Sequence, residues 1–220
     1  MGSSGFSLVH LTRPSSLPGP APLLVLLHGL GSNESDLFSL APLVDQRFVV
    51  VSARAPHLLG PNAYAWFAIE FSTDGLQIDV QQGRRSRGTV VGFVEEICDA
   101  LPIDRSKVFI MGFSQGAMLA AAVTLARPDL PAGTVLMSGA VAPELAEPMA
   151  PTEALQGFPM AQTHGTWDPV LPVELGRQGR TYLTSLAVDL DYAEFDMGHE
   201  VTSESIAWIR SWLSARLELS

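Results

Sequence analysis

A serine hydroxyl becomes a nucleophile only when a base takes its proton, and an imidazole base needs a carboxylate to orient it and stabilise its charged form. One serine stands in a setting that suits this. Ser114 lies in GFSQGAML (112–119), between the strand-like run KVFIM and the helix-like run AAAVTLA. Gly-x-Ser-x-Gly also arises by chance, so the rest of the chain must support it. Of the five histidines, His10 lies in an irregular leader and His57 in a long loop. His28 ends the first strand before Gly29-Leu30-Gly31 and suits a turn, and His164 ends a strand as a turn or packing residue, with a lesser claim to be the base. His199 follows Met197-Gly198 directly after the last strand and is the preferred base. For the acid, Asp168 in His-Gly-Thr-Trp-Asp-Pro lies just past the fifth strand. Asp189, Asp191 and Asp196 flank or enter the final strand and read as solvent-facing carboxylates. Ser114, Asp168 and His199 thus follow one recurrent order of nucleophile, acid and base, each at the carboxyl end of a strand, where open α/β sheets bind ligands.

Acyl transfer also requires two N–H donors aimed where negative charge develops. The backbone of Gln115, next after the serine, supplies one. LLHGLGSNESDL is expected to supply the other, because Gly29 and Gly31 let backbone approach a substrate and bring the Leu30 N–H into position.

The elements that must hold these residues are legible as runs. Five continuous apolar stretches, Leu23–Leu27, Phe48–Ser52, Val108–Met111, Thr134–Met137 and Phe158–Gln162, suit strands covered on both faces, and Leu190–Phe195 alternates as an edge strand does. Helical patterns occupy Glu34–Val44, starting at Ser35 or Asp36, and Asp79–Leu101, Gln115–Ala126, Val173–Ala187 behind Pro172, and Ser203–Leu217. Alternation of strand and helix predicts a mostly parallel sheet wrapped by helices on both faces. The helix after Ser114 carries no charge before Arg127, so it is expected to be buried with its N-terminus aimed at the serine. Residues 1–20 read as an irregular leader, and Ala55–Ile78 and Ser138–Leu155 as long loops near the site.

Composition narrows the function classes. With 220 residues, 47% of them hydrophobic, and no linker or repeat, the chain is expected to form one domain. A net charge of −10, with Lys107 the one lysine among 13 basic residues, argues against nucleic acid as a partner. Arg84, Arg85 and Arg87 read as a solvated helix face. Cys98 falls among Val91, Val94, Ile97 and Leu101 at helical spacing and reads as a core thiol. Ala21–Leu27 is far short of the ~20 residues a membrane span needs, and MGSSGF lacks the Ser or Thr at position 6 of a myristoylation signal. A cytoplasmic location without stable membrane insertion is the expectation. No zinc-ligand pairing such as His-Glu-x-x-His occurs, so neither metal nor other cofactor is expected.

HGLGSNESDL, GFSQGAML, HGTWDPVLP and MGHEV, in that order, resemble the carboxylesterase and acyl-protein thioesterase group, the phospholipase/carboxylesterase family of α/β-hydrolases, over about Ala21 to Leu217. SNESDL and RAPHLLGPNAYAWF look more like its bacterial esterase branch. The resemblance implies an α/β-hydrolase fold, with Ser114 as nucleophile, Asp168 as acid, His199 as base and the Leu30 and Gln115 N–H groups as oxyanion hole. It also implies an aromatic beside the acyl group, here Trp66, with Phe67 adjacent. Leu30, Leu58, Leu59, Val170 and Leu171 are expected to complete an apolar acyl pocket. The expected activity is hydrolysis of short- to medium-chain carboxylic esters, small molecules, by a monomer or homodimer. A thioesterase or lysophospholipase with the same machinery is the alternative. A binding protein on an inactive scaffold is disfavoured, because every polar element of the mechanism is present.

Overall fold

The computed structural model describes residues 5–72 and 75–218; positions 1–4 of the leader and 73–74 of the first long loop lie outside them. In chain order the strands are β1 (His10–Arg13), β2 (Ala21–Leu27), β3 (Val49–Ala53), β4 (His57–Gly60), β5 (Ala63–Ala65), β6 (Ile69–Ser72), β7 (Gly75–Ile78), β8 (Ile103–Phe113), β9 (Gly133–Met137), β10 (Pro159–Gly165) and β11 (Asp189–Phe195). The helices are α1 (Glu34–Phe38), α2 (Val80–Ala100), α3 (Gln115–Ala126), α4 (Pro143–Ala146), α5 (Thr152–Leu155), α6 (Val173–Ser185) and α7 (Ser203–Glu218).

Seven strands form one sheet in the order β1-β3-β2-β8-β9-β10-β11. Every neighbouring pair is parallel except β1 with β3. Every residue of β2, β3 and β9 is buried, as continuous apolar runs require when both sheet faces are covered. One face packs against α2, α3 and α6, and the other against α1 and α7. α3 is buried from Gln115 to Leu125, because β2, β8 and β9 cover one side of it and α2 and α4 the other.

Four expectations are corrected. The leader contains β1, whose alternating polar residues pair with β3 along a sheet edge; His10 is anchored there, its ring edge-on to Phe6 and Phe93 at centroid distances of 5.0 and 5.2 Å. The predicted helix 34–44 stops at Phe38 and resumes as a single tight turn at Ala41–Leu43, since Pro42 has no N–H to continue the ladder. Its cap is Asn33, whose side chain accepts the Ser35 N–H at 2.9 Å. The segment 55–78 holds two hairpins, β4–β5 and β6–β7, too short and polar to register as apolar runs. Arg84 and Arg87 do not form a free solvated face. Arg84 donates to the Glu144 carbonyl at 2.8 Å and pairs with Glu147, while Arg87 donates to the carbonyls of Leu145 and Glu147, fastening 143–147 to α2. Cys98 is buried in the core, and burial pushes its thiol pKa up.

Candidate active site

β8 delivers Ser114 and α3 starts at the next residue, so the chain reverses direction at the serine. Ser114 has φ 53° and ψ −116°, a strained combination for a residue with a Cβ. The two motif glycines make this turn possible. A Cβ on Gly112 would lie 2.2 Å from the Gly116 carbonyl oxygen, and one on Gly116 would lie 1.9 Å from that of Leu27. The Ser114 N–H donates to the Met137 carbonyl at 2.9 Å, and its own carbonyl accepts from Ala117 and Met118, so the turn is held from both sides.

Downstream, the structure brings three residues into contact. His199 Nε2 lies 2.9 Å from Ser114 Oγ, and His199 Nδ1 lies 2.7 Å from Asp168 Oδ2. An ionised carboxylate can only accept, which puts the ring proton on Nδ1 and leaves the Nε2 lone pair facing the serine hydroxyl. The Asp168 side chain is fully enclosed, and its other oxygen accepts the Val170 N–H at 2.8 Å and the Leu171 N–H at 2.9 Å. Three donors therefore compensate the buried carboxylate without a cation. The His199 ring rests against Phe113, 4.9 Å between centroids.

The other candidates have separate partners. His164 is fully buried, donates from Nε2 to the Leu171 carbonyl at 2.8 Å, and stands 3.7 Å from Asp168 Oδ2. It thus secures the turn that carries Asp168. Asp191 accepts the Trp212 indole N–H at 2.7 Å and pairs with Arg216, as does Asp189; Asp196 accepts the Trp167 indole N–H.

Neither the Leu30 nor the Gln115 N–H has a hydrogen-bond partner among the described residues. The loop carrying Leu30 is tied immediately after it: the Gly31 N–H donates to the Tyr64 carbonyl at 2.8 Å and the Tyr64 N–H donates to the Ser32 carbonyl at 2.9 Å. His28 is more than a turn residue. Its Nε2 accepts the Ala55 N–H at 3.0 Å, so Nδ1 carries the proton and donates to the Gly29 carbonyl at 2.7 Å. Only the neutral ring can make both bonds, and burial, the largest influence on it, lowers its pKa.

The expected pocket needs correction. Trp66 and Phe67 are 0% exposed, so neither can face a substrate in this conformation. The Trp66 indole N–H donates to the His28 carbonyl at 2.9 Å, and its ring lies against the His28 ring; this aromatic anchors a loop. Leu171 is buried too and acts through its backbone on Asp168. Leu58 and Leu59 stand out on β4 at 67% and 57% exposure, and Leu30 and Val170 are also exposed. A cleft of about 290 Å³ beside His199 is lined by Leu37, Leu40, Phe113 and Val201, with Asp36 and Glu200 among its polar residues. Neither Leu30 nor any of the other six expected pocket residues lines that cleft, whose walls come largely from α1, the residues just after it and the turn before α7. Sequence reasoning also missed the Gln115 side chain, which is buried and bonded at both ends: Oε1 accepts the Trp66 N–H at 2.8 Å and Nε2 donates to the Phe67 carbonyl at 2.7 Å. The signal available was an amide in an otherwise apolar buried helix.

The fold and motifs have known counterparts. The profile of the phospholipase/carboxylesterase family matches residues 15–217. Acyl-protein thioesterase 1 of Kluyveromyces lactis is 26% identical over 228 residues, covering 96% of this chain and 99% of that protein. The solved structure of esterase PE8 superposes with a TM-score of 0.82 at 25% identity, covering 94% of this chain and 98% of that one. The Bacillus cereus carboxylesterase shares the fold with a TM-score of 0.81 at 22% identity, covering 95% and 94%. With an α/β-hydrolase fold and a family profile spanning nearly its whole length, the chain belongs to the phospholipase/carboxylesterase family.

Proposed function

We propose that the protein is a serine carboxylesterase that hydrolyses short- to medium-chain carboxylic esters through an acyl-enzyme. The observation that carries this reading is the continuous hydrogen-bonded chain from Asp168 through His199 to Ser114. Ser114 Oγ adds to the ester carbonyl as its proton passes to His199 Nε2, and the Asp168 carboxylate stabilises the imidazolium so formed. The oxyanion accepts the free N–H groups of Leu30 and Gln115, at the positive end of α3. Collapse of the intermediate expels the alcohol with the proton from His199, leaving the acyl group on Ser114. Water, deprotonated by His199, then releases the acid and regenerates the serine.

Leu37, Leu40, Phe113 and Val201 of the cleft beside His199 supply apolar surface for a modest acyl chain. Similarity to a protein named acyl-protein thioesterase supports a second reading, thioester hydrolysis by the same residues. Matched ester and thioester substrates of graded acyl length test both: higher kcat/KM on esters supports the first reading, and preference for thioesters replaces it with the second. A fluorophosphonate should label the protein once, at Ser114. Labelling that survives Ser114→Ala would remove the nucleophile assignment.

A further inference from the structure

We propose that the Gln115 side chain is a positioning residue that holds the two halves of the oxyanion hole in register, an inference that rests on the esterase reading above. Gln115 carries one of the two proposed N–H donors on its own backbone. Its carboxamide, 1% exposed, spans to residues 66 and 67, accepting the Trp66 N–H and donating to the Phe67 carbonyl. The same short segment holds the other half. The Trp66 indole N–H donates to the His28 carbonyl before Leu30, and Tyr64 makes backbone bonds with Gly31 and Ser32 after it.

Residues 64–67 are therefore a strap with Gln115 bonded at one end and the Leu30 loop at the other. A Ser86 hydroxyl donating to the Trp66 carbonyl fixes the strap against α2. The β2–β8 ladder and the close packing of Gly116 on Leu27 set the two donor loops side by side, and, with no hydrogen bond recorded directly between the Leu30 loop and the N-terminus of α3 among the described residues, this strap is the side-chain link that fixes their spacing. A donor pair stabilises the oxyanion only when both hydrogens reach the position the charged oxygen will occupy, a tighter demand than binding the neutral ester.

The test compares the wild type with Gln115→Met, which keeps side-chain length and the backbone donor but removes both side-chain bonds. The expected result is a fall in kcat of roughly 10- to 100-fold, somewhat less than loss of a whole donor, with KM within about threefold. Affinity for a trifluoromethyl ketone should fall by the same factor as kcat/KM. That ligand forms a hemiketal by addition of the Ser114 oxygen while the serine proton passes to His199, and so it places a negative oxygen in the hole. Gln115→Glu should show activity closer to the wild type when its carboxylic acid is protonated, because the acid form can still accept from Trp66 and donate to Phe67. Its deficit should widen as pH rises. A folded Gln115→Met with wild-type kcat and ketone affinity would overturn the proposal. If Gln115→Met does not fold, Trp66→Phe removes the indole bond at the other end of the strap; an unchanged kcat there would overturn it equally. A wild type that neither hydrolyses esters nor binds the ketone would instead refute the esterase reading and take this inference with it.

Discussion

Asp168 is buried with three donors and no cation, so what it contributes depends on being an acceptor at both oxygens. Asp168→Asn keeps the shape but can present an N–H to His199, favouring the tautomer whose proton faces Ser114. The expected effect is a fall in kcat of roughly 10²- to 10⁴-fold on an activated ester, with Asp191→Asn close to the wild type. A dead Asp191→Asn beside a normal Asp168→Asn would move the acid. The contrast between these aspartates was readable in the sequence, because one follows a strand end and precedes a proline while the other lies within an alternating strand. Trp66 was not readable in the same way. Its role is decided by a carbonyl at His28 and an amide at Gln115, 38 and 49 residues away, and spacing rules encode no such partners.

At the scale of elements, the turn between β8 and α3 depends on close backbone packing that glycine alone permits. Gly116→Ala would drive its Cβ into the Leu27 carbonyl and should cost about 3 kcal/mol or more, since the obstructing atoms are strand backbone that cannot swing aside. In α2, by contrast, Gly88 is exposed and nothing lies within 4 Å of where its Cβ would be. Gly88→Ala should stabilise the protein by about 0.5–1 kcal/mol through helix propensity and a less flexible unfolded chain. Urea unfolding of both variants checks the opposite signs; equal effects would contradict the packing argument. The long helices and central strands were legible because each shows a clear period or a continuous apolar run. The hairpins of 55–78 were not, because four strands of three or four residues carry too few positions for any period to emerge.

For the whole molecule, the acid response follows from two groups around the Leu30 loop. His28 is held neutral by burial, so its folded pKa lies below the unfolded value of about 6.5. Its contribution to stability is complete above that value and is lost as pH falls below it, because the unfolded chain then binds a proton the folded chain does not. Glu34, paired with Arg54 through two hydrogen bonds, has a lowered pKa, and its contribution is lost in turn below the ordinary carboxylate range near 4.3. The urea midpoint should therefore decline from pH 7 to 5 and more steeply below pH 4.5. A midpoint unchanged between pH 7 and 5 would show that His28 protonates freely in the folded state. Both groups brace the same region, His28 through Gly29 and Ala55 and Glu34 through Arg54, so acid should loosen the Leu30 side of the candidate site early.

Covalent catalysis through Ser114 is the claim on which the functional reading stands. Rapid acid quenching during turnover of a short-chain activated ester, followed by peptide mass analysis, observes the intermediate itself. The peptide carrying Ser114 should gain the mass of one acyl group during turnover and lose it once substrate is exhausted, and Ser114→Ala should neither acylate nor turn over. Undiminished turnover by Ser114→Ala, with no acylated peptide in the wild type, would contradict it.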